Sequence, residues 1–323
     1  MERQIKASFK EFIKKIYKET EWGYWLLRPA ILVYEWFILR LYSDEYYIKR
    51  RFLKTFGFEL NLEDPKTLNA KIQWLKLHDR TDIHTKCADK YAVREFIKEQ
   101  VGEDYLPVLL FQTKDAKKLT ASNLPNDGTR FIIKTNHDSS GGLIVRDINQ
   151  VDLAEQQLYF RRLLKNNFYW SSKEWQYKNI PPRIIVEQLL EDKEGKIPND
   201  YKFHCFHGKP EFIYCSVDRE GKNTRHVYDI NWEPLPFVWA TKGKSINSSK
   251  GQEIPKPENY KKMIEIVEKL ASHFIYVRID LYNVDGKIYV GEITFHHGSG
   301  FDVFEPIEWD YKYGSMLRLP VKR

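Results

Sequence analysis

Four side chains in the stretch RIDLYNVDGKIYVGEITF, residues 278–295, carry more chemistry than a hairpin needs. Asp280 and Glu292 interrupt otherwise apolar strands. Arg278 stands two residues before the first carboxylate and Thr294 two residues after the second. Side chains alternate along a strand, so Arg278 shares a face with Asp280, and Glu292 with Thr294. Whether the two pairs meet depends on the turn. A two-residue Asp285-Gly286 turn would send Asp280 and Glu292 to opposite faces. A three-residue loop, Val284-Asp285-Gly286 with Gly286 left-handed, puts Arg278 opposite Glu292, with Asp280 diagonal to it. It leaves Val277, Ile279, Leu281, Tyr289 and Ile293 as an apolar face, and is therefore the expected register. Two carboxylates and a hydroxyl on one face suit a hard cation such as Mg²⁺, which takes oxygen ligands and shares them with nucleotide phosphates. The plainer alternative is a structural Arg278–Glu292 ion pair.

A second stretch, FIIKTNHDSSGGLIVRD at residues 131–147, ends a strand at Lys134. It runs through Ser139, Ser140, Gly141 and Gly142 into another strand. Glycines let backbone N–H groups approach phosphate oxygens, and a lysine adds a point charge. No G-x-x-x-x-G-K-[ST] or G-x-G-x-x-G occurs in the chain. The loop would act as a flap between two strands; taken alone it reads as an ordinary loop.

These groups need elements to hold them. Asp64 is expected to cap a helix with Pro65 at its first position, and KCADKYAVREFIKEQ (86–100) reads as another helix. Residues 130–134, 143–147 and 183–190 read as strands, and Asp152 with Glu155 as a capping pair. YKFHCF, a turn HGKP and EFIYCSV form a hairpin. Pro257 opens a helix whose Tyr260, Met263, Ile264, Val267 and Leu270 share a face. Helices mixed with hairpin-linked strands give an α+β fold with antiparallel sheets.

With 323 residues, 42% of them hydrophobic, the chain has ample core for two or three subdomains. Three cysteines without a C-x-x-C pair suggest a reducing, cytoplasmic setting, and no N-terminal stretch reads as a signal peptide. Residues 1–54 hold twelve Lys/Arg and seven Asp/Glu, most of the chain's net charge of +7. The rest is nearly neutral, which argues against a nucleic-acid groove. Residues 5–17 pattern as a basic amphipathic helix. The aromatic stretch 22–42 is interrupted by Arg28, Glu35 and Arg40 and makes a poor membrane span. It would either lie in a membrane interface or pack as a helical pair on the main body.

Taken in order, PKTLNAKIQWLKLHDR, ADKYAVREF, IIKTNHDSSG, EWQYKNIPPRIIVEQLLED, DYKFHCFHGKPEFI, RIDLYNVDGKIYVGEITF and FEPIEWDYKYG resemble the ATP-grasp superfamily. They look most like its teichuronopeptide-biosynthesis (TupA-like) branch, over residues from about 50 to the end. The resemblance implies two α+β subdomains with antiparallel sheets sandwiching ATP. The expected division is an N-terminal helical extension (1–50), an α-rich part (51–125), a small ATP-grasp subdomain (126–190) and a large one (191–323). It further implies that Lys90 and Lys134 contact phosphates, that residues 139–142 form the flap, and that Glu187, Gln188 and Leu190 belong to the adenine hinge. Lys202 would approach ribose and phosphates. Asp280 and Glu292 would be magnesium carboxylates, with Thr294 where many members have asparagine. Asp138 stands where glycine is usual, Ala70 where glutamate is expected, and His296-His297 where a threonine-proline pair is common. The histidines are expected to pack or hydrogen-bond within their loop.

The activity implied is an ATP- and Mg²⁺-dependent carboxylate–amine ligase working through an acyl phosphate. Arg278 and Arg225 would stabilise the tetrahedral intermediate. The acceptor would be a glycan or lipid-linked glycan of the cell surface, at the inner face of the plasma membrane, joined to a small amine or amino acid. Transfer of phosphate to a sugar hydroxyl is the nearest rival. A glycosyltransferase is weakened by the absence of any D-x-D triplet. A membrane-associated scaffold would bind no nucleotide.

Overall fold

The computed structural model describes residues 16–17, 20–139, 142–217, 219–221, 224–241 and 254–320. The chain divides into two compact units, Met1–Arg50 and Arg51–Arg323. The first contains the long helix α1 (Glu21–Leu41) and the start of α2 (Asp44–Phe56). Of the amphipathic stretch expected at 5–17, only Ile16 and Tyr17 lie among the described residues.

The second unit opens with α3 (Leu68–His78), α4 (Asp82–Ala88) and α5 (Val93–Val101). The first helix starts later than expected. Thr67, not Asp64, is extended and accepts the Ala70 N–H on its hydroxyl at 3.1 Å, so Pro65 stays outside the helix. The single helix expected over 86–100 is two. Between them the Asp89 carboxylate takes the Tyr91 N–H at 2.8 Å and the Asn136 amide at 2.7 Å. That local bond competes with helix continuation and turns the chain out at Lys90.

Strands β1 (Leu109–Thr113), β2 (Phe131–Thr135), β3 (Gly142–Val145) and β4 (Ile184–Gln188) form an antiparallel sheet of order β1-β4-β2-β3. Its first strand precedes the boundary expected at 126. Phe131, Ile133, Val145, Ile184 and Val186 face a core closed by Phe160 of α6 (Leu153–Leu163). Asp152 caps that helix through the Glu155 N–H at 3.1 Å. The alternate residues Ile132, Lys134 and Glu187 face the other way and border a cleft.

The large sheet runs β10-β9-β5-β6-β7, with β5 (Asp200–Phe206), β6 (Lys209–Val217), β7 (Thr224–Asp229), β9 (Tyr276–Val284) and β10 (Lys287–Thr294). Period two sorts its faces. Tyr201, Phe203, Cys205, Val277, Ile279 and Leu281 pack against Met263, Val267 and Leu270 of a helix, Tyr260–Ala271. Asp200, Lys202 and His204 lie on the opposite face with Arg278, Asp280 and Tyr282, since β5 pairs these residues directly across β9. A two-stranded ladder of β8 (Val238–Thr241) and β11 (Asp302–Glu305) completes the sheets.

The turn of the opening hairpin differs from the one expected. Val284 pairs with Lys287, so Asp285-Gly286 is a two-residue turn, and both residues have positive φ, 49° and 89°. That is the turn chemistry of Asp-Gly at the tip of a twisted hairpin. By itself it would separate the carboxylates. A β-bulge at Gly291 inserts one extra residue, and Glu292 comes directly opposite Asp280, with Thr294 opposite Arg278. The polar groups share one face by a different route, and Tyr289, expected on the apolar face, lies across from Tyr282 on the other.

Candidate active site

Arg278 and Lys202 clamp Asp280. The guanidinium reaches both carboxylate oxygens, at 2.6 Å from Nε and 2.7 Å from NH2, and Lys202 Nζ stands 3.0 Å from Oδ2. Asp280 is 3% exposed. Burial works to raise its carboxyl pKa, but Arg278 and Lys202 outweigh it and hold it below the ordinary carboxylate range. The same lysine touches Asp200, whose carboxyl burial pushes up. Asp200 escaped the sequence reading, although its i, i+2 spacing to Lys202 placed both on one strand face.

The third arm of Arg278 donates to His297 Nδ1 at 2.9 Å. Arginine can only donate, so Nδ1 accepts and Nε2 carries the proton, facing Asp302 Oδ2 at 3.3 Å. Burial lowers the His297 pKa and keeps the ring neutral. His296 is buried too, with Gln176 at 3.1 Å.

Glu292 is more open. Its carboxylate lies 3.4 Å from Lys90 Nζ and 3.7 Å from Arg278, longer than hydrogen bonds. Lys90 also donates to the Asp138 carbonyl at 2.5 Å, so it joins this face to the loop after β2. The Asp138 carboxylate is buried and accepts from the Thr135 hydroxyl at 2.5 Å. Ser139 is exposed, Gly142 begins β3 opposite Lys134, and Ser140 and Gly141 lie outside the described residues.

A cleft opens between the second face of the small sheet and the β9–β10 hairpin. Its lining includes Lys90, Lys134, Leu190, Arg219, Tyr282 and Gly291. Glu187 and Gln188 line it as well. Buried Glu187 accepts from Lys134 at 2.6 Å and from Arg94 at 2.9 Å. Its carboxylate thus sets the position of Lys134. Arg94, four residues beyond Lys90, is a cleft residue that the sequence reading missed. Arg225 stands apart on β7, two strands beyond β5, where it donates to the Tyr214 hydroxyl at 3.3 Å. Among the described residues it makes no contact with Asp280 or Glu292.

Asp280, Glu292 and Thr294 offer oxygen donors only. Among the described residues, the Thr294 hydroxyl is buried without a hydrogen-bond partner and Glu292 holds no short hydrogen bond. That donor set fits a hard cation, with Asp280 sharing oxygens now held by Arg278 and Lys202. No group of three or more His, Cys, Asp or Glu gathers into a metal cage among the described residues. The remaining ligands would come from phosphate and water.

The model of one protein family, described as TupA-like ATPgrasp, matches residues 70–318. No curated protein sequence matches the chain. Among solved structures, D-alanine–D-alanine ligase from Helicobacter pylori is 16% identical with a TM-score of 0.42, covering 78% of this chain and 69% of its own. L-amino acid ligase from Bacillus licheniformis is 16% identical with a TM-score of 0.40, covering 80% and 57%. D-alanine–D-alanine ligase from Bacillus anthracis is 17% identical with a TM-score of 0.35, covering 65% and 57%. The matched region thus spans less than two thirds of the last two enzymes.

Proposed function

The chain belongs to the TupA-like ATP-grasp family, and from that membership we propose that it is an ATP-dependent carboxylate–amine ligase. The observation that carries this reading is one continuous polar path. Lys134 and Lys90 in the cleft lead through Glu292 to the Arg278–Asp280–Lys202 cluster. A site for phosphoryl transfer needs positioned positive charge and carboxylates for a divalent ion, with little covalent work by the protein.

Mg²⁺, when bound, would neutralise phosphate oxygens during transfer; Asp280, Glu292 and Thr294 are the residues that would hold it. Lys90 and Lys134 supply point charges for phosphate oxygens along the cleft, Glu187 keeping Lys134 in place. Gln188 ends β4 and Leu190 follows it two residues on, both lining the cleft where a base would lie. Arg278 is fixed by Asp280 and His297, with Glu292 3.7 Å away, so it presents a pre-oriented cation to an oxyanion without reorganising. The γ-phosphate passes to a substrate carboxylate, ADP leaves, and an amine displaces phosphate from the acyl phosphate to give an amide. Arg225, away from this cluster, is assigned to the acceptor side. The acceptor class is a uronic acid of a surface glycan, joined to an amino acid or other small amine.

Hydroxylamine tests the reaction type. Supplied as the amine with Mg²⁺-ATP and glucuronic or galacturonic acid, it should give a hydroxamate together with ADP, because it traps acyl phosphates. ADP with a stable sugar phosphate and no hydroxamate would make the protein a kinase. Binding is checked separately. Mg²⁺-ATP at 100 times its Kd should stabilise the protein by about 2.7 kcal/mol, and Glu292→Gln should lose the magnesium-dependent part of that shift.

A further inference from the structure

Helix α1 presents a stripe of apolar side chains to solvent. Trp22 is 62% exposed, Trp25 43%, Leu26 68%, Val33 57%, Trp36 51% and Phe37 52%. At 100° per residue these six fall within about 60° of one line, with Pro29 between them. From Trp22 to Phe37 the stripe runs about 22 Å at 1.5 Å per residue. Tyr24 points the other way, 3% exposed, and stacks on Tyr17, which also accepts from Arg28 at 3.2 Å. The helix is therefore two-sided, and its aromatic side is the one left open.

We infer that the Trp22–Phe37 stripe of α1 is a membrane-docking surface that lies flat in the interface of an anionic lipid bilayer. Three observations select this occupant. The stripe is rich in tryptophan, whose ring is apolar with a polar N–H and favours headgroup depth. The basic excess of the chain is concentrated around it: residues 1–54 carry twelve Lys/Arg against seven Asp/Glu, most of the net +7. Each such cation near an anionic surface adds attraction that a second copy of this same basic segment would oppose. Finally, no helix among the described residues is long and apolar enough to cross a membrane. A flat aromatic face with basic flanks binds at the surface. The inference is independent of the reaction proposed above.

The test uses the full-length protein and sedimentation with vesicles of phosphatidylcholine, alone or with 30% phosphatidylglycerol. The bound fraction should be at least about fivefold higher on the anionic vesicles and should fall as salt rises. Trp22→Ala/Trp25→Ala/Trp36→Ala should weaken binding at least about tenfold. Leu26→Asp/Val33→Asp should do the same while keeping the tryptophans. Both variants change exposed positions and should keep the wild-type melting temperature. Equal binding to neutral and anionic vesicles, or undiminished binding by both variants, would overturn the inference. So would a wild-type dimer in light scattering that the variants split while no vesicle binding is seen, since the stripe would then belong to a second copy.

Discussion

Arg278 makes three hydrogen bonds at once through its guanidinium fork, which a lysine could not reproduce. Two of its nitrogens hold the two oxygens of Asp280, and the third meets His297. Arg278→Lys keeps one charge but can satisfy only one of these partners well. Either Oδ1 of Asp280 or Nδ1 of His297 would be left buried without its donor, since Lys202 reaches only Oδ2, at a cost of about 1–3 kcal/mol in unfolding free energy. The preset cation would also be lost from the reacting end of the cleft. Hydroxamate formation should fall by roughly 10²–10³, as for loss of one oxyanion donor. The Mg²⁺-ATP thermal shift should survive at more than half its size, because Lys90 and Lys134 are untouched. Equal losses of ATP binding and product formation would mean that Arg278 serves the nucleotide instead.

At the scale of the element, Gly291 does what no neighbouring side chain could. It is the extra residue that rephases β10, and a Cβ built there would lie 2.6 Å from Cε2 of Tyr282. Tyr282 lines the cleft, and its hydroxyl accepts from Arg219 at 3.3 Å. Gly291→Ala should therefore push the ring into the cleft, costing about 1–3 kcal/mol through overpacking and weakening ATP binding. Adding Tyr282→Leu should recover most of the stability, and a double-mutant cycle measures the coupling. Additive losses would separate the glycine from the ring. This hinge between turn and bulge marks where sequence reading stops. The alternation of Ile279, Leu281 and Ile293 with Asp280, Arg278 and Glu292 was enough to gather the carboxylates on one face. A three-residue turn makes the register absorb a mismatch that the bulge carries instead, although a glycine inside a strand is itself a bulge signal. The break at Asp89–Ala92 carries only a weak local signal, an aspartate whose side chain bonds the backbone two residues on. The side chain that pins it, Asn136, is far away in the chain and meets Asp89 only once β2 is in place. Arg94 was hidden for the same reason, since its partner Glu187 comes from the last strand of the small sheet. Local chemistry such as the Asp152 cap was legible; contacts that close long loops were not.

Across the whole second unit, the chain's last helix, Glu308–Met316, is tied back to α3 by one carboxylate. Asp310 is 1% exposed and accepts from the backbone and side-chain amides of Asn69, each at 2.9 Å. Burial outweighs these hydrogen bonds and pushes its carboxyl pKa up from 3.8 to about 6. The folded chain thus holds this proton more tightly than the unfolded chain does. Stability from this group is fully present below pH 4, declines as pH rises through about 6, and is flat above that. A shift of about two pH units corresponds to roughly 3 kcal/mol of decline. Chemical denaturation at intervals from pH 4 to 7.5 should show that fall as the difference between wild type and Asp310→Asn. Asp310→Asn cannot titrate, so whatever fixed offset it carries, the slope of its stability against pH should be flatter over the same window. Parallel curves for the two proteins would mean that the Asn69 amides hold Asp310 ionised throughout. The two helices would then be joined by a permanent charge, not by one that leaves with acid.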